Sequence, residues 1–93
     1  GASNAQVAII LIDARNGIVE QTHRHFYITQ LLRIPYVVVC VNKMDLVNYS
    51  EEHFNNIQAQ FESLFSKANF KPSRKFGIFN FKLFLRANSL FRT

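Results

Sequence analysis

Glycine and cysteine are scarce in this sequence, and each scarcity excludes one kind of site or bond. Glycine occurs only at positions 1, 17 and 77. A Gly-x-x-x-x-Gly-Lys-Ser/Thr loop, which binds phosphate groups with backbone amides and a lysine, therefore cannot be drawn in these 93 residues. The single cysteine, Cys40, excludes an internal disulfide and fits a reducing compartment, so we expect a cytoplasmic protein.

Long apolar runs are also missing, since none approaches the ~20 residues that a membrane-spanning helix needs. We therefore expect no membrane association. The chain opens at Gly1-Ala2-Ser3, with no initiator methionine and no secretory leader, and we expect an excised or processed segment. A hydrophobic content of 48% over 93 residues predicts one small packed domain.

Acidic residues are absent from the last third of the chain. Residues 1–66 hold four basic and all six acidic residues, whereas residues 67–93 hold seven basic residues and six of the ten phenylalanines. We predict that residues 1–66 form the C-terminal part of a folded domain and that residues 67–93 form a divergent basic tail. Two origins of the tail stay open, namely a natural divergent end and an out-of-frame translation.

Two short apolar runs predict strands, and the segment between them predicts a helix. Val7–Ile12 and Tyr36–Val41 are rich in β-branched residues without alternation, which is typical of strands buried on both faces of a parallel sheet. Glu20–Arg33 is the predicted crossover helix, with Thr22 as its N-cap. Its apolar residues recur at roughly helical spacing: Phe26, Ile28, Leu31 and Leu32.

A second helix is predicted over Ser50–Lys67, with Ser50 as N-cap and two glutamates in the first turn. Its apolar stripe comprises Phe54, Ile57, Phe61, Leu64 and Phe65. Phe76–Leu85 alternates imperfectly and is open as a third strand. We therefore predict an α/β fold, a parallel sheet with flanking helices built on a βαβα core.

Asn42-Lys43-Met44-Asp45 follows the second strand directly, and ligands bind at this end of the strands in open α/β sheets. Asn-Lys-x-Asp in this position is the base-recognition motif of GTPases. Guanine presents N1–H and N2–H₂ on one edge, and the carboxylate of Asp45 can accept both bonds. Asn42 would reach the other edge and tie the loop, and the Lys43 stem would lie along the base. The alternative is a solvated polar loop.

The chain around this motif resembles the translation-factor class of P-loop GTPases. Within that class it is most similar to the large, GTP-binding subunit of bacterial sulfate adenylyltransferase. The similarity covers residues 1–66, about two-thirds of the chain, and rests on Leu11-Ile12-Asp13-Ala14-Arg15, Gly17, Gln21-Thr22, Arg24-His25, Val37-Val38-Val39, Val41 to Val47 and Tyr49-Ser50-Glu51-Glu52. The first and last of these stretches favour that enzyme over an elongation factor.

The resemblance implies part of a Rossmann-like GTP-binding domain. It also implies an enzyme in which GTP hydrolysis drives ATP and sulfate towards adenylyl sulfate, while a small catalytic subunit performs the adenylyl transfer. GTP or GDP is the implied ligand, with guanine contacts from Asn42, Lys43 and Asp45, and Mg²⁺ is implied for the longer parent protein.

Several family elements cannot be found in this chain: the phosphate-binding loop, the Asp-x-x-Gly motif, a switch threonine and the Ser-Ala loop that supports the base. We therefore predict no catalytic residue, no metal ligand, no Mg²⁺ site and no GTP hydrolysis by the chain itself. We expect self-association, because a half-sheet exposes apolar edges. The alternatives are an elongation-factor-like GTPase segment and a non-enzymatic module whose basic tail binds anionic partners, although nucleic-acid binding is not favoured.

The remaining candidate side chains favour structural interpretations. His23 and His25 lie two residues apart on a helix and point to different sides, so they cannot share a metal ion. His53 has no partner suggested by spacing. Cys40 in mid-strand is expected to be buried and inert, and Asp13 has no magnesium to serve.

Overall fold

The computed structural model describes residues 6–68 and 75–90. Its elements in chain order are β1 (Val7–Asp13), α1 (Glu20–Leu31), β2 (Tyr36–Asn42), a short 3₁₀ helix (Met44–Val47), α2 (Glu51–Lys67), β3 (Lys75–Asn80) and α3 (Phe81–Leu90). The predicted α/β class and βαβα core are confirmed, and the third strand is present. None of the helices in the described part of the chain is long and apolar enough to cross a membrane.

The three strands form one parallel sheet in the order β1-β2-β3. The register aligns Asp13 at the end of β1 with Asn42 at the end of β2, and Val41 with Asn80 at the end of β3. All three carboxyl ends therefore meet at one edge of the sheet. Two right-handed crossovers that step in the same direction place α1 and α2 on the same face, which we call the covered face.

The covered face holds the core. Its strand residues are at most 2% exposed: Ile10, Ile12, Val37, Val39 and Val41. Above them, Phe26 of α1 and Phe76 of β3 pack edge to face against Phe61 of α2, with ring centroids 5.3 and 5.0 Å from the Phe61 ring. Aromatic pairs in this geometry contribute about 0.5–1.5 kcal/mol each beyond their buried area. Phe76, from the basic stretch, thus belongs to the same core as α1 and α2.

The opposite face, which we call the open face, is uncovered along β1. Val7, Ile9 and Leu11 are 49%, 58% and 55% exposed, so the prediction that both strands are buried on both faces was wrong for β1. The reason is that β1 is an edge strand of the sheet, and its apolar run does not reveal what packs over it. The prediction was right for β2, where Val38 and Cys40 are buried, and α3 contacts both β2 and its neighbour β3.

α1 begins at Glu20, where the predicted helix begins, but its N-cap is not the predicted Thr22. Val19 is the N-cap, and Thr22 is the third helical residue, whose hydroxyl accepts a hydrogen bond of 3.1 Å from the Val19 N–H. The buried residues are Thr22, Phe26 and Thr29. The Thr29 hydroxyl donates to the Phe26 carbonyl over 2.6 Å, so burial leaves no unsatisfied donor there.

Of the apolar residues noted in this segment, Phe26 is buried and the others are exposed: Ile28 (49%), Leu31 (64%) and Leu32 (47%). The i, i+4, i+7 stripe that meets the sheet contains two threonines, which apolar periodicity does not count.

α2 forms as predicted. The Ser50 hydroxyl accepts the His53 N–H over 3.1 Å and caps the helix. Ile57 and Phe61 are buried, and the other members of the predicted stripe pack partly buried against the core: Phe54, Leu64 and Phe65.

The stretch Phe76–Leu85 divides between a strand and a helix. The strand ends at Asn80, whose side-chain Oδ1 accepts the Lys82 N–H over 2.9 Å and thereby starts α3. The strand prediction is confirmed as far as Asn80 and was wrong beyond it. Several basic residues of the predicted tail lie outside the described residues, namely Lys71, Arg74 and Arg92.

Candidate functional site

The Asn42–Asp45 loop lies at the carboxyl end of the central strand β2. Lys43 adopts a left-handed backbone conformation, with φ 64° and ψ 34°, which turns the chain out of the strand. Met44 is only 6% exposed and inserts into the core, and the 3₁₀ helix follows. Because Met44 is buried, its two neighbours Lys43 and Asp45 are both presented at the surface.

Hydrogen bonds hold this loop on both sides. The Lys43 N–H donates to the Asn42 side-chain Oδ1 over 2.8 Å. The Asn42 carbonyl accepts the Ala14 N–H over 2.8 Å, which ties the loop to the turn after β1. The Tyr49 N–H closes the other side on the Met44 carbonyl over 2.9 Å. Backbone hydrogen bonds therefore join the loop to the turn after β1 and to the residue Tyr49 that follows the 3₁₀ helix.

Two polar side-chain groups of the loop remain available to bind a ligand. The Asn42 Oδ1 is occupied by Lys43, which leaves the side-chain NH₂ of Asn42 as a donor. The carboxylate of Asp45 is exposed and has no hydrogen-bond or ion-pair partner among the residues that the structure describes. The site thus offers a two-oxygen acceptor, an amide donor and a long aliphatic stem on one loop.

Asp13 stands next to this loop, because it is the register partner of Asn42. Its Oδ2 lies 2.8 Å from Arg15 Nη2 and 3.6 Å from Lys43 Nζ. Its Oδ1 accepts the Arg15 Nε–H over 3.1 Å and the Arg15 backbone N–H over 2.9 Å. The hydrogen bonds from Arg15 hold the pKa of Asp13 far below its usual range, and the side-chain hydrogen bond has the largest effect. Asp13 is therefore a carboxylate well below neutral pH.

His53 connects the same turn to α2. Its ring Nε2 forms a hydrogen bond with the carbonyl oxygen of Ala14, a residue that is fully buried. Sequence spacing gave His53 no partner because Ala14 is 39 positions away in the chain. The turn Asp13–Arg15 is consequently fastened to β2 through Asn42 and to α2 through His53.

The other candidate residues do not form a site. His23 and His25 are exposed on α1, and the described residues contain no group of three or more His, Cys, Asp or Glu side chains able to hold a metal ion. Cys40 is fully buried, as expected, and burial raises the pKa of its thiol.

Two clefts lie near the loop. One, of about 460 Å³, is at the carboxyl ends of β1 and β2, and its lining includes Asp13, Asn42 and Lys43. The other, of about 640 Å³, is apolar and lies between Met44 and the residues of β3 and α3. Asp45 lines neither cleft. In the described part of the chain, the acceptor edge of the loop therefore faces an open ledge rather than an enclosed pocket.

Comparison with known proteins gives consistent relatives. The family described as "Elongation factor Tu GTP binding domain" matches residues 1–87. Sulfate adenylyltransferase subunit 1 of Buchnera aphidicola subsp. Acyrthosiphon pisum (strain Tuc7) is 54% identical over 67 residues, which are 72% of this chain and 14% of that protein. The protein of the same name from Sulfurovum sp. (strain NBC37-1) is 54% identical over 71 residues, 76% of this chain and 15% of that protein.

A third relative, sulfate adenylyltransferase subunit 1 of Aliivibrio salmonicida (strain LFI1238), is 52% identical over 69 residues, 74% of this chain and 14% of that protein. The chain thus spans about one seventh of the length of these curated relatives. The resemblance found in the sequence is confirmed. The predicted boundary between residues 66 and 67 stays a prediction, and so do the roles of Asn42, Lys43 and Asp45.

Proposed function

The chain belongs to the family of the elongation factor Tu GTP binding domain, and we propose that its Asn42–Asp45 loop recognises the guanine base of GTP or GDP. One observation carries the proposal. The Asp45 carboxylate is exposed and unpaired among the described residues, on a fixed loop at the ligand-binding end of the central parallel strand.

The chemistry of the loop fits guanine. The two Asp45 oxygens accept the N1–H and N2–H₂ donors of the base, and such bonds to a charged acceptor are short and strong. The Asn42 NH₂ donates to the acceptor atoms on the opposite edge, and the Lys43 methylenes form an apolar wall. Adenine presents one donor, N6–H₂, beside the acceptor N1, so it cannot pair with both Asp45 oxygens, and the loop should favour guanine over adenine.

We also propose the wider role that the relatives' names suggest. In this proposal the chain is the base-recognising segment of the GTP-binding subunit of a cytoplasmic sulfate adenylyltransferase, a nucleotidyltransferase of sulfate assimilation. That subunit would work with a smaller catalytic subunit and would use Mg²⁺ with GTP. Identity of about one half to three proteins named sulfate adenylyltransferase subunit 1 supports this role over the elongation-factor alternative.

The proposal assigns the base to Asn42, Lys43 and Asp45 and assigns no residue of this chain to the phosphates or to Mg²⁺. The three residues fit a base because they offer an acceptor pair, a donor and an apolar stem. No glycine-rich phosphate loop accompanies them in these 93 residues. We therefore propose base recognition and not hydrolysis for the chain.

Asp45→Asn tests base recognition, because it keeps the size of the side chain and removes the charge. We expect guanosine binding to weaken about 10- to 100-fold, the effect of losing a charged hydrogen bond. We also expect the affinity for xanthosine to be higher in the variant than in the original chain, because the Asn NH₂ can donate to the C2 carbonyl of xanthine. Titration of the ¹⁵N-labelled chain followed by NMR measures both affinities at millimolar ligand.

Glu62→Gln is the matched control, since Glu62 is an exposed carboxylate on α2 away from the loop. It should leave guanosine binding unchanged. The proposal is wrong if guanosine and adenosine bind equally, or if Asp45→Asn binds guanosine as tightly as the original chain does.

A further inference from the structure

The Asp13 carboxylate lies between two cations, Arg15 and Lys43. Arg15, two residues away, grips it through its backbone N–H, its Nε and its Nη2, at 2.9, 3.1 and 2.8 Å. Lys43 approaches from the neighbouring strand end, with Nζ 3.6 Å from Oδ2. The Asp13 side chain is 23% exposed and that of Lys43 is 47% exposed. Arg15 therefore holds the carboxylate in place with three hydrogen bonds, and the Lys43 ammonium forms a longer ion pair with the same carboxylate.

The position of Asp13 relative to the loop is set by the backbone. Asp13 and Asn42 are register partners, and the Ala14 N–H donates to the Asn42 carbonyl over 2.8 Å. His53 holds the Ala14 carbonyl from α2. Backbone hydrogen bonds thus tie the turn that carries Asp13 to the loop that carries Lys43.

Lys43 needs an anchor if its stem is to serve as a wall. A lysine side chain loses about 1.5–2 kcal/mol of rotamer freedom when it is ordered. A stem that is ordered before the base arrives does not lose that freedom during binding, so pre-ordering increases affinity. The exposed stem of Lys43 has one charged contact in the described part of the chain, and that contact is Asp13.

We propose that Asp13, gripped by Arg15, is a positioning residue of the guanine site: it holds the Lys43 ammonium and so pre-orders the stem against which the base lies. This inference rests on the proposed function. It assigns a role to a residue outside the proposed base contacts Asn42, Lys43 and Asp45.

A double-mutant cycle for guanosine binding tests the inference. Asp13→Asn should weaken binding by about 1.4-fold to fivefold in the original chain, the range that an exposed ion pair supports. In a Lys43→Ala background, Asp13→Asn should cause no further loss, because its effect passes through Lys43. Glu20→Gln is the control, since it breaks the exposed 3.1 Å pair to Arg24 and should leave binding unchanged.

A second measurement needs no ligand. The order parameter of the Lys43 Cε methylene, obtained by ¹³C relaxation, should exceed that of the exposed Lys67 in the original chain. It should fall to the Lys67 level in Asp13→Asn. A general loss of structure would also disturb Lys67 and the core, which this comparison reveals.

The outcomes separate the inference from the proposed function. Equal weakening in both backgrounds, no weakening at all, or a Lys43 order parameter that Asp13→Asn leaves unchanged would each overturn the role of Asp13. If the original chain binds no guanosine, the proposed function fails and the base-site role of Asp13 fails with it. The relaxation data then show separately whether Asp13 orders Lys43.

Discussion

The two faces of the sheet differ sharply although the same strands build both. Ile10 and Ile12 on the covered face are 2% exposed, whereas Ile9 and Leu11 on the open face are 58% and 55% exposed. These residues alternate along one strand and have similar hydropathy. The difference shows that the position of α1 and α2, rather than side-chain chemistry, decides which residues stabilise the fold.

The open face is itself divided. Along β2, Val38 is 7% exposed and Cys40 is fully buried, because β3 continues the sheet and α3 contacts both strands. The most exposed apolar strand residues of the open face lie on β1, and we define Val7, Ile9 and Leu11 as the β1 patch. Since β1 is also an edge strand, the same place combines apolar side chains with unpaired backbone groups.

The largest expected effect is a difference in the free energy of unfolding between alanine variants of two neighbouring isoleucines, Ile10 and Ile9. Ile10→Ala should lower the free energy of unfolding by about 2–5 kcal/mol, because it removes buried methylenes and leaves a cavity. Ile9→Ala should lower it by less than about 1 kcal/mol, because the side chain is largely exposed. Urea unfolding followed by circular dichroism measures both. Similar losses for the two variants would mean that the open face of β1 is covered in solution.

The next effect concerns how fast the thiol of Cys40, which is buried on the β2 part of the open face, reacts with a reagent. Cys40 should react with a disulfide reagent at pH 8 about a hundredfold more slowly in the native chain than in urea, because reaction requires opening and a thiolate that burial disfavours. Phe79→Ala should speed the reaction, since Phe79 is the register partner of Cys40. Leu31→Ala, a change at an exposed site on α1, should not. Rapid native labelling would show that β3 and α3 do not protect β2.

The smallest effect concerns self-association, which we propose occurs through the β1 patch. Ile9→Lys should weaken it about tenfold, as the loss of ~1.4 kcal/mol does, because the charge must be desolvated at the contact. Ile28→Lys replaces a comparably exposed isoleucine on α1 and should have no effect. Sedimentation velocity over a range of concentrations distinguishes the variants. A concentration-independent monomer mass for the original chain would contradict the proposal.

Local signals in the sequence were sufficient for several elements. Ser50 could be recognised as an N-cap because capping depends on the residue itself and on the amides of the next turn. The loop Asn42–Asp45 could be placed because a short β-branched run before it predicted the end of a strand. The family relationship followed from the residues around that loop.

Two of the predictions that were wrong misread local signals, and one required information from distant parts of the chain. The capping rule pointed to Thr22, yet the helix begins after Val19, whose side chain gives no capping signal. The imperfect alternation of Phe76–Leu85 hid the end of β3, although Asn80 was an available N-cap signal. Burial of β1 depends on which elements cover it, and an apolar run cannot report that.

The supporting residues of the site were beyond sequence reasoning for a similar reason. Asp13 reaches Lys43 across 30 positions, and His53 reaches Ala14 across 39. The parallel register of β1 and β2 creates the first contact, and the packing of α2 beside the turn after β1 creates the second. Both depend on the assembled fold. The Asp-x-Arg spacing at the end of β1 was the one local hint, because it brings two opposite charges together next to the strand end.

The left-handed backbone of Lys43 has a consequence for how the chain can change. A residue with a Cβ in this conformation loses roughly 1–2 kcal/mol relative to the right-handed region, whereas glycine does not. A glycine at position 43 would therefore remove this backbone strain from the folded state, but it would also delete the side-chain stem that the proposed base site uses. If the proposed function holds, stability of the fold and recognition of the ligand make opposing demands on this single residue.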